Sequence, residues 1–250
     1  MNLIIDIGNT RVKAALFEQG GLVQQWAYFY TTEELPVVAD FIVKDILKSF
    51  EIKQAIVASV VEPLDGFLIK IKEYVPTLLF SSTTPIPIKN NYQTATTLGS
   101  DRLAAAIGGN RLYRNKNLLV IDAGTCIKYN FVSEKNEYLG GAISPGLKMR
   151  FKALNQFTSR LPLIEAQETF TTLIGQTTQQ SILSGVQNGA CAEIDAFIEQ
   201  YNQLFQHLEV ILTGGDAFFF EKRLKKPIFT DSFLILKGLN TILEYNLSFK

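Results

Sequence analysis

The chain opens with an apolar run, Leu3-Ile4-Ile5, that leads into a turn-like Asp6-Ile7-Gly8-Asn9-Thr10. From Arg11 to Phe17 apolar and polar positions alternate, and Gly20-Gly21 interrupts them before Leu22 to Phe29. Period-two alternation broken by a glycine pair predicts three short strands with a hairpin between the last two. Thr32-Glu33-Glu34 then precedes Val37, Phe41, Ile42, Ile46 and Leu47, which is helical spacing behind a plausible N-cap. Gln54 to Val61 (QAIVASVV) is an almost continuous apolar run, as expected of a buried parallel strand. A short helix is predicted near Pro63–Tyr74, with Leu64, Phe67, Leu68 and Ile71 on one face. The Ser-, Thr-, Pro- and Asn-rich stretch from Ser81 to Thr97 reads as a loop, and Asp101 to Tyr113 as a helix with an alanine-rich face.

The pattern then restarts. Asn117–Asp122, Ile127–Val132 and Tyr138–Ile143 read as strands, 147–158, 178–206 and 216–224 as helices, Val210–Thr213 as a strand and 234–247 as a last helix. Alternating strands and helices indicate an α/β protein. Val120-Ile121-Asp122-Ala123-Gly124-Thr125 repeats the pattern of Ile4-Ile5-Asp6-Ile7-Gly8-Asn9-Thr10, and each copy is followed by a lysine, Lys13 or Lys128. A lone Asp-x-Gly is most often an ordinary turn. Two copies, each after a buried strand and each opening a hairpin, predict two related lobes with a cleft between them. The expected division is 1–116 and 117–250, with the last helix able to pack back onto the first lobe.

Composition narrows the chemistry. The 250 residues carry 24 Lys+Arg against 24 Asp+Glu, a formal net charge of zero, which argues against nucleic acid as the main partner. Two cysteines make no disulfide framework. The single histidine, His207, excludes a multi-histidine zinc site and is expected on a helix, structural or facing solvent. The charge-free run Thr169 to Ala192 is too rich in Thr, Ser, Gln and Asn to cross a membrane. With a strand-like run at the start in place of a targeting peptide, a cytoplasmic protein without membrane contact is expected.

At the end of a strand, Asp-x-Gly-(Asn)-Thr suits phosphate. Glycine permits a tight hairpin, backbone N–H groups and the Thr hydroxyl donate to phosphate oxygens, and the carboxylate faces a hydrated cation. No Gly-Lys dipeptide occurs, so a Walker A loop is excluded, and a G-x-G-x-x-G run is absent. Leu212-Thr213-Gly214-Gly215-Asp216-Ala217 follows a strand and opens a helix. Its glycines would let a flat ligand such as adenine approach the backbone, although the stretch taken alone reads more readily as a plain strand-to-helix turn with Asp216 near the N-cap.

These motifs together resemble the acetate and sugar kinase, heat-shock chaperone and actin superfamily, and more narrowly the type III pantothenate kinases. The resemblance rests on Asp6-Ile-Gly-Asn-Thr10, Gly99-Ser-Asp-Arg102, Asp122-Ala-Gly-Thr125, Gly140-Gly-Ala-Ile-Ser-Pro-Gly146, Thr213-Gly-Gly215 and Phe233-Leu-Ile-Leu-Lys-Gly-Leu239, in the family's order. It implies an actin-like ATPase fold of two ribonuclease H-like lobes, and ATP-dependent phosphorylation of pantothenate. Asp101 is implied as the general base, although an Asp at this place also suits a helix N-cap.

Tyr92, Gly99, Ser100, Asp101, Arg102 and Thr178 are implied to bind substrate, with Thr178 reaching it from the other subunit of a homodimer. Asp6, Ile7, Gly8, Asn9, Thr10, Arg11, Val12, Lys13, Thr125, Gly214 and Gly215 are implied to bind ATP. Asp6 would hold Mg²⁺ through water, and Asp122 a monovalent cation, K⁺ or NH₄⁺. Thr177 replaces the commoner Asn, which leaves the choice between Thr177 and Thr178 open. Cys126 replaces Ala after Asp-x-Gly-Thr and is expected to be buried and passive. Two alternatives stand beside this reading: a kinase for another small hydroxylated acceptor, and a non-catalytic nucleotide-binding regulator.

Overall fold

A computed structural model describes residues 1–31 and 34–249. Thr32 and Glu33, the expected start of the first helix, lie outside the described residues. The chain divides into two compact units, Met1–Leu112 with Phe233–Lys250, and Tyr113–Ser232.

The first unit begins with β1 (Asn2–Ile7), β2 (Arg11–Glu18) and β3 (Gly21–Phe29). The turn between β2 and β3 falls on Gln19 (φ 49°) and Gly20 (φ 76°), one residue before the expected glycine pair. Two positive φ values match the twist of flanking antiparallel strands. Helix α1 (Leu35–Ile42) runs on into a π turn, Val43–Leu47. It is followed by β4 (Gln54–Ser59), α2 (Asp65–Lys72), β5 (Thr77–Leu79), the two-residue β6 (Lys89–Asn90) and α3 (Ser100–Leu112). β5 and β6 were not expected. Each has at most three residues, too few for periodicity to register.

The second unit holds β7 (Leu118–Ala123), β8 (Cys126–Val132), β9 (Glu137–Pro145) and α4 (Leu147–Gln156). Helix α5 (Thr178–Leu183), a π turn (Ser184–Asn188) and α6 (Gly189–Leu204) then run consecutively. β10 (Glu209–Thr213), α7 (Ala217–Glu221) and β11 (Phe229–Thr230) complete it, and α8 (Leu234–Leu247) returns to the first unit. His207 is not on a helix as expected. It lies past the end of α6, exposed, with φ 52°. Among the described residues no helix is long and apolar enough to cross a membrane.

The first sheet is ordered β3-β2-β1-β4-β5, and the strands of the second unit run β9-β8-β7-β10-β11, the same order. In each, the first three strands are antiparallel and the rest parallel. The repeat read from Asp6 and Asp122 therefore extends to a five-strand order in each unit. Leu3, Ile5 and Ile7 bury one face of β1 against Leu35, Val38, Ala39 and Ile42 of α1 and Phe67, Leu68 and Ile71 of α2. α8 packs on β1, β4 and, most extensively, α3. Helices on both faces explain why β1 and β4 read as unbroken apolar runs. In the second unit, Leu119, Ile121, Ile127 and Tyr129 meet Ile194 and Ile198 of α6 in a separate core.

Candidate active site

In the first unit, β1 and β4 run parallel and end together, with the Val60 N–H donating to the Ile7 carbonyl (3.0 Å). The Asp6-to-Thr10 hairpin leaves from this end. The Gly8 N–H donates to the Arg11 carbonyl (3.1 Å), which closes the turn, and the Tyr30 hydroxyl donates to the Gly8 carbonyl (2.6 Å). Burial, and next the charge of Asp6, raises the Tyr30 phenol above its ordinary value of 10, so it stays a donor. Asp6, Ile7 and Val12 are buried, Gly8, Arg11 and Lys13 are partly buried, and Asn9 and Thr10 are exposed at the tip. The register sets Lys13 opposite Asp6.

The N-terminus of α3 is tied to the same end of the sheet. The Ser100 hydroxyl donates to the carbonyl of Ser59, the last residue of β4 (3.0 Å). Asp101 lies on the first turn of α3, where the helix dipole favours an anion, and its Oδ1 accepts from the Arg102 N–H (2.8 Å). Gly99 makes room for this carboxylate: a Cβ there would sit 2.6 Å from Asp101 Oδ1. Arg102 is buried, and its guanidinium carbon lies 5.6 Å from the centre of the Tyr92 ring. Tyr92 is anchored by its N–H donating to Asn90 Oδ1 (3.0 Å). A cavity of about 600 Å³ borders this motif at Gly99 and Ser100, together with Ser59, Phe80 and Leu103, but does not include the side chains of Tyr92, Asp101 or Arg102.

The second unit brings three sequence motifs into direct contact. The Gly124 N–H donates to the Cys126 carbonyl (3.0 Å), closing the Asp122-to-Thr125 hairpin, and a side chain at Gly124 would point into open space. The Gly146 N–H donates to the Thr125 carbonyl (3.1 Å), and a Cβ at Gly146 would overlap the Gly124 carbonyl. Gly214 has φ 101°, and a Cβ there would overlap the Ala123 carbonyl, while the Asp216 N–H donates to that same carbonyl (2.9 Å). Thr125 and Gly215 are exposed beside this junction. Only glycine permits backbones to meet this closely. Asp122 is buried, and its Oδ2 receives the Lys128 ammonium at 2.6 Å.

A charged group behind the junction was not legible in the sequence. Arg150 of α4 donates to Glu193 Oε2 of α6 (2.6 Å) and to the Pro145 carbonyl (2.8 Å). The hydroxyls of Ser144 and Tyr129 donate to Glu193 Oε1. Burial alone would raise the Glu193 carboxyl, but these hydrogen bonds, Arg150 first, hold it below 4.5. The group fixes the end of β9, and with it Gly146. Tyr30, Arg150 and Glu193 lie outside every motif, so no sequence signal singled them out.

Thr177 and Thr178 separate by role. Thr177 is the N-cap of α5, its Oγ1 accepting from the Gln180 N–H (3.2 Å), whereas Thr178 is the first helical residue and is exposed. Cys126, expected to be buried, is partly exposed at the start of β8, because the strand's first residue borders the turn. Cys191 is the buried cysteine, and burial pushes its thiol up to about 11. Among the described residues, no three His, Cys, Asp or Glu side chains converge on a metal position. Mg²⁺ commonly keeps several waters and takes one or two carboxylates. A single buried Asp6 at a hairpin fits that pattern.

A family model described as type III pantothenate kinase matches residues 2–200. The type III pantothenate kinase of Bacteroides fragilis is 43% identical over 247 residues, covering 98% of this chain and 98% of that protein. Among solved structures, a Baf family protein from Campylobacter jejuni matches with TM-score 0.63 at 22% identity, covering 98% of this chain and 99% of that one. A ROK family glucokinase from Streptomyces griseus, in complex with glucose and AMPPNP, matches with TM-score 0.57 at 12% identity, covering 98% of each chain. These two likenesses bear on fold, and the fold is the expected actin-like ATPase one, two ribonuclease H-like lobes. Matched along nearly its whole length at this identity, the chain belongs to the type III pantothenate kinase family.

Proposed function

We propose that this chain transfers the γ-phosphoryl group of ATP to the primary hydroxyl of pantothenate, giving 4'-phosphopantothenate, the first step of coenzyme A biosynthesis. The observation that carries the reading is the grouping at the N-terminus of α3. Asp101 sits on its first turn, Gly99 clears space for that carboxylate, and the Arg102 guanidinium lies over the Tyr92 ring.

Phosphoryl transfer is mostly positioning and charge neutralisation, so the chain needs few reacting groups. Asp101 accepts the proton of the pantothenate hydroxyl as its oxygen bonds to the γ-phosphorus and the bond to the β-phosphate oxygen breaks, releasing ADP. Arg102 pairs with the pantothenate carboxylate, and a charge-assisted pair of this kind orients as well as binds. Tyr92, Gly99 and Ser100 complete the substrate contacts. On the nucleotide, residues 6–13 of the first hairpin present backbone N–H groups and the Asn9 and Thr10 side chains to phosphate. In the second unit, Thr125, Gly214 and Gly215 form the junction that takes the rest of ATP. Mg²⁺ held through water by Asp6 would neutralise phosphate charge.

The working form in this reading is a homodimer in which Thr178 reaches the substrate of the neighbouring subunit. Thr178 is exposed, and so are the large apolar residues Leu173 (77%), Ile174 (78%) and Phe157 at the end of α4 (82%). Side chains of this kind are what a neighbouring subunit would cover in such a dimer. Neither nucleic acid nor a membrane enters the reaction, and the enzyme works in the cytoplasm.

The test follows ADP release with Mg²⁺ and pantothenate, glucose or no acceptor. Turnover that depends on pantothenate supports the reading. Turnover with glucose alone would point instead to another acceptor, and ATP binding without turnover to a regulator.

A further inference from the structure

The resemblance places a monovalent cation at Asp122, and the structure places Lys128 there. Asp122 and Lys128 face each other across the β7–β8 ladder, so the hairpin register itself brings their side chains to the same side of the sheet. The ammonium nitrogen lies 2.6 Å from Asp122 Oδ2, with the two side chains only 17% and 6% exposed. That separation is the short end of a charge-assisted hydrogen bond. The donor set does not fit a second monocation on this carboxylate. Such an ion would share one negative charge with an ammonium already in contact, where poor access to water leaves like charges weakly screened.

The –NH₃⁺ group and a free ammonium or potassium ion carry the same charge, and –NH₃⁺ shares its donor chemistry with NH₄⁺. The lysine is tethered, so its local concentration does not fall with the salt content of the medium. Asp122 is also next to the junction of Ala123 with Gly214 and Asp216, so a positive charge here lies beside the backbone assigned to the nucleotide. We infer that Lys128 is a built-in monovalent cation: it supplies the charge otherwise taken from solution, and turnover requires neither K⁺ nor NH₄⁺. The turnover part rests on the pantothenate kinase reading above.

The experiment uses the full chain in choline chloride, with KCl or NH₄Cl substituted at constant ionic strength. Two readouts are taken, ADP release with pantothenate and Mg²⁺, and melting temperature with ADP and Mg²⁺. Wild-type turnover is expected to change by less than about twofold between salts, while Lys128→Ala is slow in choline chloride and recovers about tenfold or more in KCl or NH₄Cl. Melting should follow the same pattern, flat for wild type and raised by KCl for Lys128→Ala. Activation of the wild type by KCl of about tenfold or more would overturn the inference. So would a Lys128→Ala protein as indifferent to KCl as the wild type in both readouts. If Lys128→Ala does not fold, the wild-type salt series still decides, since a cation-requiring wild type sinks the idea unaided. If pantothenate yields no ADP in any salt, the functional reading falls while the melting comparison still judges Lys128.

Discussion

Gly238 on α8 lies backbone to backbone against Ala104 on α3, so close that a methyl group on Gly238 would overlap the Ala104 carbonyl oxygen. Gly108 meets the Leu234 carbonyl in the same way one turn along. This double contact seats the helix whose first turn carries Asp101 and Arg102. Gly238→Ala is expected to lower stability by about 1–3 kcal/mol, the usual cost of overpacking. Urea unfolding measures it, and kcat should fall as well because α3 is displaced. A variant with wild-type stability and kcat would show that the contact does not seat α3.

Asp101→Asn keeps the shape of the carboxylate but cannot accept a proton. Its kcat is expected to fall by about 10²–10⁴-fold, the range of general-base contributions, with the pantothenate KM little changed. Arg102→Gln should do the reverse, raising KM more than it lowers kcat. Steady-state ADP release on both variants distinguishes the roles, and an Asp101→Asn enzyme of undiminished kcat would rule out the base.

The two threonines of the α5 N-terminus should respond differently. Thr177→Ala removes a cap and is expected to cost about 1 kcal/mol of stability. Thr178→Ala should leave melting unchanged but raise the pantothenate KM. Sedimentation adds a check, since a fully active monomer contradicts a contribution of Thr178 across a dimer.

Gly214 holds φ 101° with no room for a side chain against Ala123. Gly214→Ala must therefore shift the junction with the Asp122 hairpin. ADP affinity measured by calorimetry is expected to drop about tenfold or more while pantothenate contacts in the first unit are untouched. Unchanged ADP affinity would remove Gly214 from the nucleotide site.

Glu193 predicts an acid-side effect. Its folded-state carboxyl lies below the ordinary 4.5, so the stability it contributes is complete above that value and fades as the pH falls through the lowered one. Glu193→Gln should be less stable than wild type at neutral pH, and the gap should close in more acidic buffer. Chemical denaturation across that pH range checks the sign, and a gap that widens toward acid would contradict it.

Much of this was legible because it is local. The β1 and β7 hairpins follow from apolar runs ended by Asp-x-Gly, and the last helix begins at Leu234 as its periodicity predicts. The misses have local reasons too. β5 and β11 are too short for periodicity to register, and His207 sits in a left-handed turn that its neighbours do not announce. Whether α8 belonged with the first or second half was open. It joins the first, because Gly108 and Gly238 let two helices meet closely, a pairing between positions distant in the chain.

The sequence by itself determined the α/β alternation, the doubled Asp-x-Gly-Thr motif and the Gly99-to-Arg102 motif that carries the proposed base, since these depend on residues a few positions apart. Only the tertiary structure decided which groups stand together. It set Tyr92 beside Arg102, Gly214 on Ala123, Arg150 on Glu193, and the Lys128 ammonium on Asp122. The physical reason is that such contacts depend on strand register and helix packing, and a one-residue change of register would turn Lys128 to the other face of its sheet.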